Sequence, residues 1–322
     1  MRLIGCALIL AAAMTCHGEE GATEEAAAEA QAVEEVPLPM PANVFEAQVE
    51  LHRRGFSCGS IDGVPGAQTA GALRAFQRSA GLRPTGLLDT RTREALRMAT
   101  VALKEHEVSP VDLGGLEPVP KTWLEKSERE RLGYATVLEA LGERYHANPK
   151  ILQQLNPDVD WAGMLPGAVL TVPAADEVVV AGEPAEIVIG LSERELEVLD
   201  AGGRVIAHFP VSIAKMAEKR PVGELHVTVV IPNPDYTFNP AVFPESAEAR
   251  SLGRKLILPP GPNNPVGLAW VGLDRPGYGM HGTPEPEQVG RTESHGCFRL
   301  ANWDAVTLLR LVRVGMKVVV VP

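Results

Sequence analysis

Cysteine is scarce in this chain, four residues in 322, with no CxxC pattern and no HExxH. That excludes a disulfide-stapled scaffold and the common zinc-site spacings. Aromatic residues are also few, at 5%. Basic residues form no tract and the net charge is -11, which argues against a nucleic-acid partner. The apolar run near the N-terminus, Leu3 to Met14, is too short to span a bilayer as a stable helix. Glycine and proline, in contrast, are plentiful at 31 and 27 residues, which points to many turns and a β-rich portion. A length of 322 residues exceeds one ordinary core, so several domains are expected.

The opening segment, MRLIGCALILAAAMTCHGEE, places Arg2 before the apolar run and reads as an export signal over residues 1–16. Cys16 stands directly after that run, where a bacterial lipoprotein signal carries its lipidated cysteine. Ala13, Met14 and Thr15 match the usual preceding residues poorly, so membrane anchoring by a lipid on Cys16 and ordinary cleavage near Gly18 both stay open. Either way the expected location is the periplasm or cell envelope, as an outer-membrane lipoprotein if the lipid is attached. Residues 17–40 then hold seven glutamates and no Lys or Arg. Alanine and glutamate without aromatics cannot bury a core, so this stretch reads as a solvated, self-repelling linker.

From Asn43 the pattern changes. Val44, Ala47 and Leu51, then Ala72, Leu73 and Phe76, fall at helical spacing, and a third helix follows Thr90, read as its cap. Residues 41–100 are therefore expected to form a small three-helix unit. The order of Gly59, Ile61, Asp62, Gly63, Gly66, Thr69, Ala72, Leu73, Phe76, Gln77, Gly81, Leu82, Thr85, Gly86, Asp89 and Thr92 resembles the peptidoglycan-binding helical domain of wall hydrolases and transpeptidases. That resemblance implies peptidoglycan as a partner; the residues alone say only that the glycines and Asp62 make turns.

Residues 101–132, with Pro110, Pro118 and Pro120 and a charged helix-like piece from Leu124 to Leu132, read as a connector. In residues 133–174, Val137, Leu138 and Leu141 mark one helix, Pro149 to Leu155 a second, and Ala168 to Val172 a strand. With Leu155-Asn156-Pro157, Pro166-Gly167 and Val172-Pro173, this segment is similar to the LysM module, a βααβ glycan-binding unit. His146 reads as a surface or helix-end residue, and Cys58 as a small semi-buried one. Residues 178–322 alternate apolar and polar positions in short runs with turns every eight to twelve residues, the pattern of a β-sandwich or closed sheet, plus one helix from about Asn302 to Val312. The expected fold class is thus multidomain α+β, ending in a mainly β domain that is sandwich-like or barrel-like.

The chemistry concentrates in HGTPEPEQVGRTESHGCFRL, His281 to Leu300. A thiol near pKa 8.5 is mostly protonated at neutral pH, so Cys297 needs a base to act as nucleophile, and His281 is the natural one. Gly282 has no side chain to orient that histidine, which leaves a backbone carbonyl as the third member. Gly296 lets an acyl group approach the backbone, and amides there would hold an oxyanion, worth about 3 kcal/mol for one donor. His295 and Arg299 share a face with Cys297 on an extended segment. The Arg299 guanidinium suits a substrate carboxylate, with pairing to Asp304 as the structural alternative. A zinc site of His281, His295 and Cys297 is disfavoured by spacing and would occupy the thiol, so neither metal nor cofactor is expected.

His281-Gly282-Thr283, then Gly290, then Ser294 to Leu300 resemble the signature of the L,D-transpeptidase (YkuD-type) catalytic domain. LPPGPNNPVG from Leu258 to Gly267 is similar to that family too, and the likeness runs from about Ala185 to Val321. Phe298, where a smaller branched residue is usual, and Arg220-Pro221-Val222-Gly223, where Thr-Pro-x-Gly is commoner, depart from it. The resemblance implies acyl transfer from a peptidoglycan stem tetrapeptide through a Cys297 thioester, with His281 as general acid and base. It implies substrate contacts at Ser294, His295, Arg299, Tyr278 and Thr283. The amine acceptor is left open: another stem peptide, a lipoprotein lysine or a free D-amino acid. An L,D-carboxypeptidase using water, or a wall-binding protein without catalysis, are the alternatives.

Overall fold

The computed structural model describes residues 38–243, 246–293 and 296–322. The expected export signal, Cys16 and nearly all of the acidic linker lie outside the described residues, as do Ser294 and His295.

The chain opens with three helices, α1 (Val44–Arg53), α2 (Ala67–Ser79) and α3 (Thr90–Ala95). Their apolar faces meet in a cluster of Ala47, Leu51, Phe56, Cys58, Leu73 and Phe76, so Cys58 is fully buried and not semi-buried. Asp89, one residue before Thr90, caps α3 by accepting from the Thr92 N–H. Strand β1 (Leu103–Glu107) and helices α4 (Pro110–Leu113) and α5 (Trp123–Ser127) follow, then α6 (Val137–Arg144), α7 (Pro149–Leu155) and β2 (Val169–Pro173). β1 pairs antiparallel with β2. The connector thus holds a strand and a short helix, β1 and α4, besides the charged helix expected in it. Its first strand completes a two-stranded sheet with residues 169–173, so a boundary at 133 cuts through this unit, and the charged helix ends at Ser127 instead of Leu132.

The remaining elements are β3 (Pro184–Gly190), β4 (Glu195–Asp200), β5 (Val205–Pro210), β6 (Gly223–Pro232), β7 (Tyr236–Phe238), α8 (Ala247–Leu252), β8 (Leu256–Leu258), β9 (Ala269–Leu273), β10 (Gly279–His281), β11 (Phe298–Arg299), α9 (Asn302–Leu311) and β12 (Lys317–Val321). Eight strands form one sheet in the order β11-β10-β9-β6-β12-β3-β4-β5. Its two ends meet where Ser212, just past β5, bridges Arg299 of β11 through two main-chain bonds of 2.9 and 3.0 Å. Of the two sheet arrangements expected, the closed one is observed. Ile187, Leu196, Phe209, Val271, Phe298 and Val318 belong to one core cluster inside the closed sheet, with Ala305 and Leu308 of α9.

β5 is buried along its whole length because the helical unit packs on it. Val205 joins the helical cluster, and Phe56 bridges His208 in parallel, covering the strand edge. Ion pairs Arg74–Glu195 and Arg78–Glu197 flank the contact. The three-helix unit and the sheet thus share one packed body in place of the separate domains suggested by length. His146, read as a surface or helix-end residue, does follow the end of α6, in a left-handed turn, but it is buried at this junction: it stacks on Trp303 and lies 3.1 Å from His52, nitrogen to nitrogen.

Candidate active site

β10 and β11 run side by side, pairing Met280 with Phe298 and His281 with Arg299. This parallel pairing brings His281 and Cys297 to the same end of the sheet although 16 residues separate them in sequence. Both line a cavity of about 490 Å³, together with Gly296 and Arg299.

His281 is buried, and its Nδ1 lies 2.6 Å from the carbonyl oxygen of Gly282. A carbonyl only accepts, so Nδ1 carries the proton and Nε2 is the basic nitrogen. The ring stacks on Trp270 of β9 at 5.7 Å. Burial draws the imidazole down to about 4; the Gly282 carbonyl opposes this and the Arg299 charge adds to it. Burial pushes the Cys297 thiol up, opposed by the Gly279 N–H. The Cys297 thiol donates to the Gly277 carbonyl at 3.4 Å. Both shifts favour the thiol and the neutral imidazole over a thiolate–imidazolium pair.

Asn302 fixes the turn after His281. Its amide nitrogen donates to Glu143 Oε1 of α6 at 2.9 Å and to the Pro262 carbonyl at 3.1 Å, while its oxygen accepts from the Leu268 N–H at 3.1 Å. That oxygen sits so close to Gly267 and Gly282 that a Cβ on either would lie 1.9 or 2.3 Å from it. Glycine at both positions is a steric requirement of the Asn302 amide, and Gly267 also holds a positive φ of 60°. Burial raises Glu143 to about 8, opposed by the bond from Asn302.

Arg299 lines the cavity, and its Nη2 donates to Thr292 Oγ1 and to the Glu293 carbonyl. Pairing with Asp304 does not occur: Asp304 is buried at the helical junction and accepts from Ser57 at 2.9 Å. Thr283 is buried and accepts from the Glu285 N–H, and the Tyr278 ring lies beneath the Arg275 guanidinium at 4.5 Å. Neither is among the residues lining the cavity. Phe298 lies in the core, 1% exposed, so its departure from the family pattern bears on packing and not on the cleft wall. Sequence reasoning missed the aromatic lining, Trp123, Tyr236, Phe243 and Trp270, all of which lie outside the motif segment.

Residues 184–320 match the YkuD family, described as the L,D-transpeptidase catalytic domain, and residues 41–96 match the family described as "Putative peptidoglycan binding domain". The chain is 32% identical over 144 residues to "Putative L,D-transpeptidase YqjB" of Bacillus subtilis, covering 43% of this chain and 72% of that protein. It is 25% identical to "Putative L,D-transpeptidase YkuD" of Bacillus licheniformis over 188 residues, 58% of this chain and 93% of the relative. Against "Probable L,D-transpeptidase YcfS" of Escherichia coli it is 30% identical over 185 residues, 56% of this chain and 57% of the relative. The chain belongs to the L,D-transpeptidase family of enzymes.

Proposed function

We propose that the protein crosslinks peptidoglycan by acyl transfer through Cys297. His281 Nε2 takes the thiol proton as the sulfur bonds to the carbonyl carbon of the third residue of a stem tetrapeptide. The bond to the terminal D-alanine breaks, and its amine leaves with the proton from His281. An acceptor amine then attacks the thioester, gives its proton to His281, and the sulfur leaves to be reprotonated. Amides at Gly296 and Cys297 hold the oxyanion in both steps, and Arg299 binds a peptide carboxylate.

The observation that carries this reading is the 2.6 Å contact between His281 Nδ1 and the Gly282 carbonyl. It fixes the tautomer that leaves Nε2 free to accept a proton, on a ring that shares its cavity with Cys297.

In this reading residues 41–96 hold the wall, with the LysM-like unit as a second glycan contact. Packed against the sheet, they present glycan at a fixed position relative to Cys297. The leader sequence is the basis for proposing export to the cell envelope, with Cys16 as a lipid site and an envelope lipoprotein among the acceptors. Incubating the protein with a disaccharide-tetrapeptide and separating the products by chromatography tests the reaction: crosslinked dimer with released D-alanine supports it. Tripeptide alone would make the protein an L,D-carboxypeptidase, and unchanged substrate would leave wall binding without catalysis.

A further inference from the structure

Trp123 lines the same cavity as Cys297, His281 and Arg299, yet it comes from the connector. It lies outside both matched family regions, residues 41–96 and 184–320. Its ring is held from several sides. It stacks on Phe238 at 4.4 Å between centroids and 15° between planes, packs on Phe243 at 5.8 Å, and lies beneath the Lys126 ammonium at 5.3 Å.

The backbone that carries this ring is fixed as well. Helix α5 begins in a reciprocal cap between Thr122 and Glu125, and the Leu124 N–H donates to Glu248 of α8 at 3.1 Å. Farther along, Leu132 exchanges main-chain bonds with the loop containing Pro265 and Val266, donating to the Pro260 carbonyl at 3.0 Å and accepting from the Asn263 N–H at 3.1 Å. Gly261 packs so tightly there that a Cβ would lie 2.1 Å from the Leu132 carbonyl oxygen. Pro265 and Val266 line the cavity too. The connector is thus bonded to a loop that forms another part of that wall.

We propose that Trp123 is a specificity-determining residue, the connector's contribution to the wall of the acyl-donor cavity. The part of its indole that borders the cavity, left uncovered by Phe238, Phe243 and Lys126, packs on the aliphatic portion of the stem peptide and limits which donors reach Cys297. Trp123 transfers no proton; it acts on donor binding. This rests on the reading of Cys297 as the acyl-accepting nucleophile.

The test uses the full chain as wild type, Trp123→Ala and Trp123→Phe, with two readouts. One is the rate at which iodoacetamide labels Cys297, followed by peptide mapping so that Cys58 is scored separately. The other is the dependence of acyl-adduct formation on tetrapeptide concentration. For Trp123→Ala we expect labelling about fivefold faster and a half-saturating donor concentration about tenfold higher, with the limiting rate within about twofold of wild type. Trp123→Phe, which keeps an aromatic stack on Phe238, restores both values. Should Trp123→Ala lose its cooperative thermal transition, Trp123→Leu replaces it in both assays. Labelling and donor dependence that match wild type overturn the proposal, as does faster labelling with an unchanged donor dependence. A wild type that forms no adduct sinks the transpeptidase reading instead. The labelling rates then decide the wall role alone, and equal rates overturn it.

Discussion

Asn302 Nδ2 donates to Glu143 Oε1 at 2.9 Å, a buried bond between residues 159 positions apart. It joins α6 of the unit before the sheet to the residue whose oxygen sets the backbone at Gly267 and Gly282. The carbonyl that orients His281 is therefore positioned partly from outside the matched catalytic region.

Asn302→Ala leaves that turn without its anchor and should lower kcat for acylation by about tenfold to a hundredfold with a smaller change in KM. Glu143→Gln keeps an acceptor for the Asn302 amide and should stay within about threefold of wild type, whereas Glu143→Leu should resemble Asn302→Ala. Steady-state kinetics on the three variants checks this. Equal kcat in all three would remove the link.

Acylation should tolerate mild acid. With His281 drawn down to about 4, its basic form persists well below the ordinary imidazole range and is lost only as pH falls through that value. We expect kcat/KM to hold between about pH 8 and 5.5 and to drop below about pH 5. A limb centred near 6.5 would contradict the neutral, buried imidazole described above.

Stability should fall in acid for a separate reason. His52 and His146 are buried 3.1 Å apart, and both imidazoles are held below the ordinary value, His146 at about 3, with burial the largest cause. Below pH 6.5 the unfolded chain binds protons that the folded pair does not. Each such group then costs about 1.4 kcal/mol of stability per pH unit until its folded value is reached. Glu143, raised to about 8, works in the opposite direction, since its contribution is lost as pH rises through that value. His146→Asn, which suits the left-handed turn, should flatten the acid side of a melting-temperature profile from pH 7 to 4. An unchanged slope would mean the pair is not the acid-sensitive element.

Phe298 belongs to the core and not to the cleft wall. Phe298→Ala should cost about 3–5 kcal/mol in denaturant unfolding, while protein that remains folded keeps a donor KM close to wild type. A large change in KM at unchanged stability would return this residue to the cleft.

The motif residues were legible in the sequence because the parallel pairing of β10 and β11 joins neighbours of a single segment. His281, Cys297 and Arg299 meet as local spacing suggests, and the alternation in β3, β4 and β12 marks one buried face on each strand. β1 was not legible, since LKEHE shows no apolar alternation; its partner supplies the buried side chains, Leu170 and Val172. Trp123, Glu143 and His146 owe their roles to partners more than 90 residues away, Phe238, Asn302 and His52. No local period encodes contacts of that range. The Arg299–Asp304 alternative failed for the same reason, because Asp304 is taken by Ser57 from the distant segment that follows α1.

The most direct measurement is intact-protein mass spectrometry of wild type and Cys297→Ala after incubation with a disaccharide-tetrapeptide. The account predicts a mass gain equal to the acyl fragment in wild type alone, mapped to Cys297, with Cys58 unmodified in its buried position, and discharged when an amine is added. An adduct that persists in Cys297→Ala, or one that maps to Cys58, would contradict it.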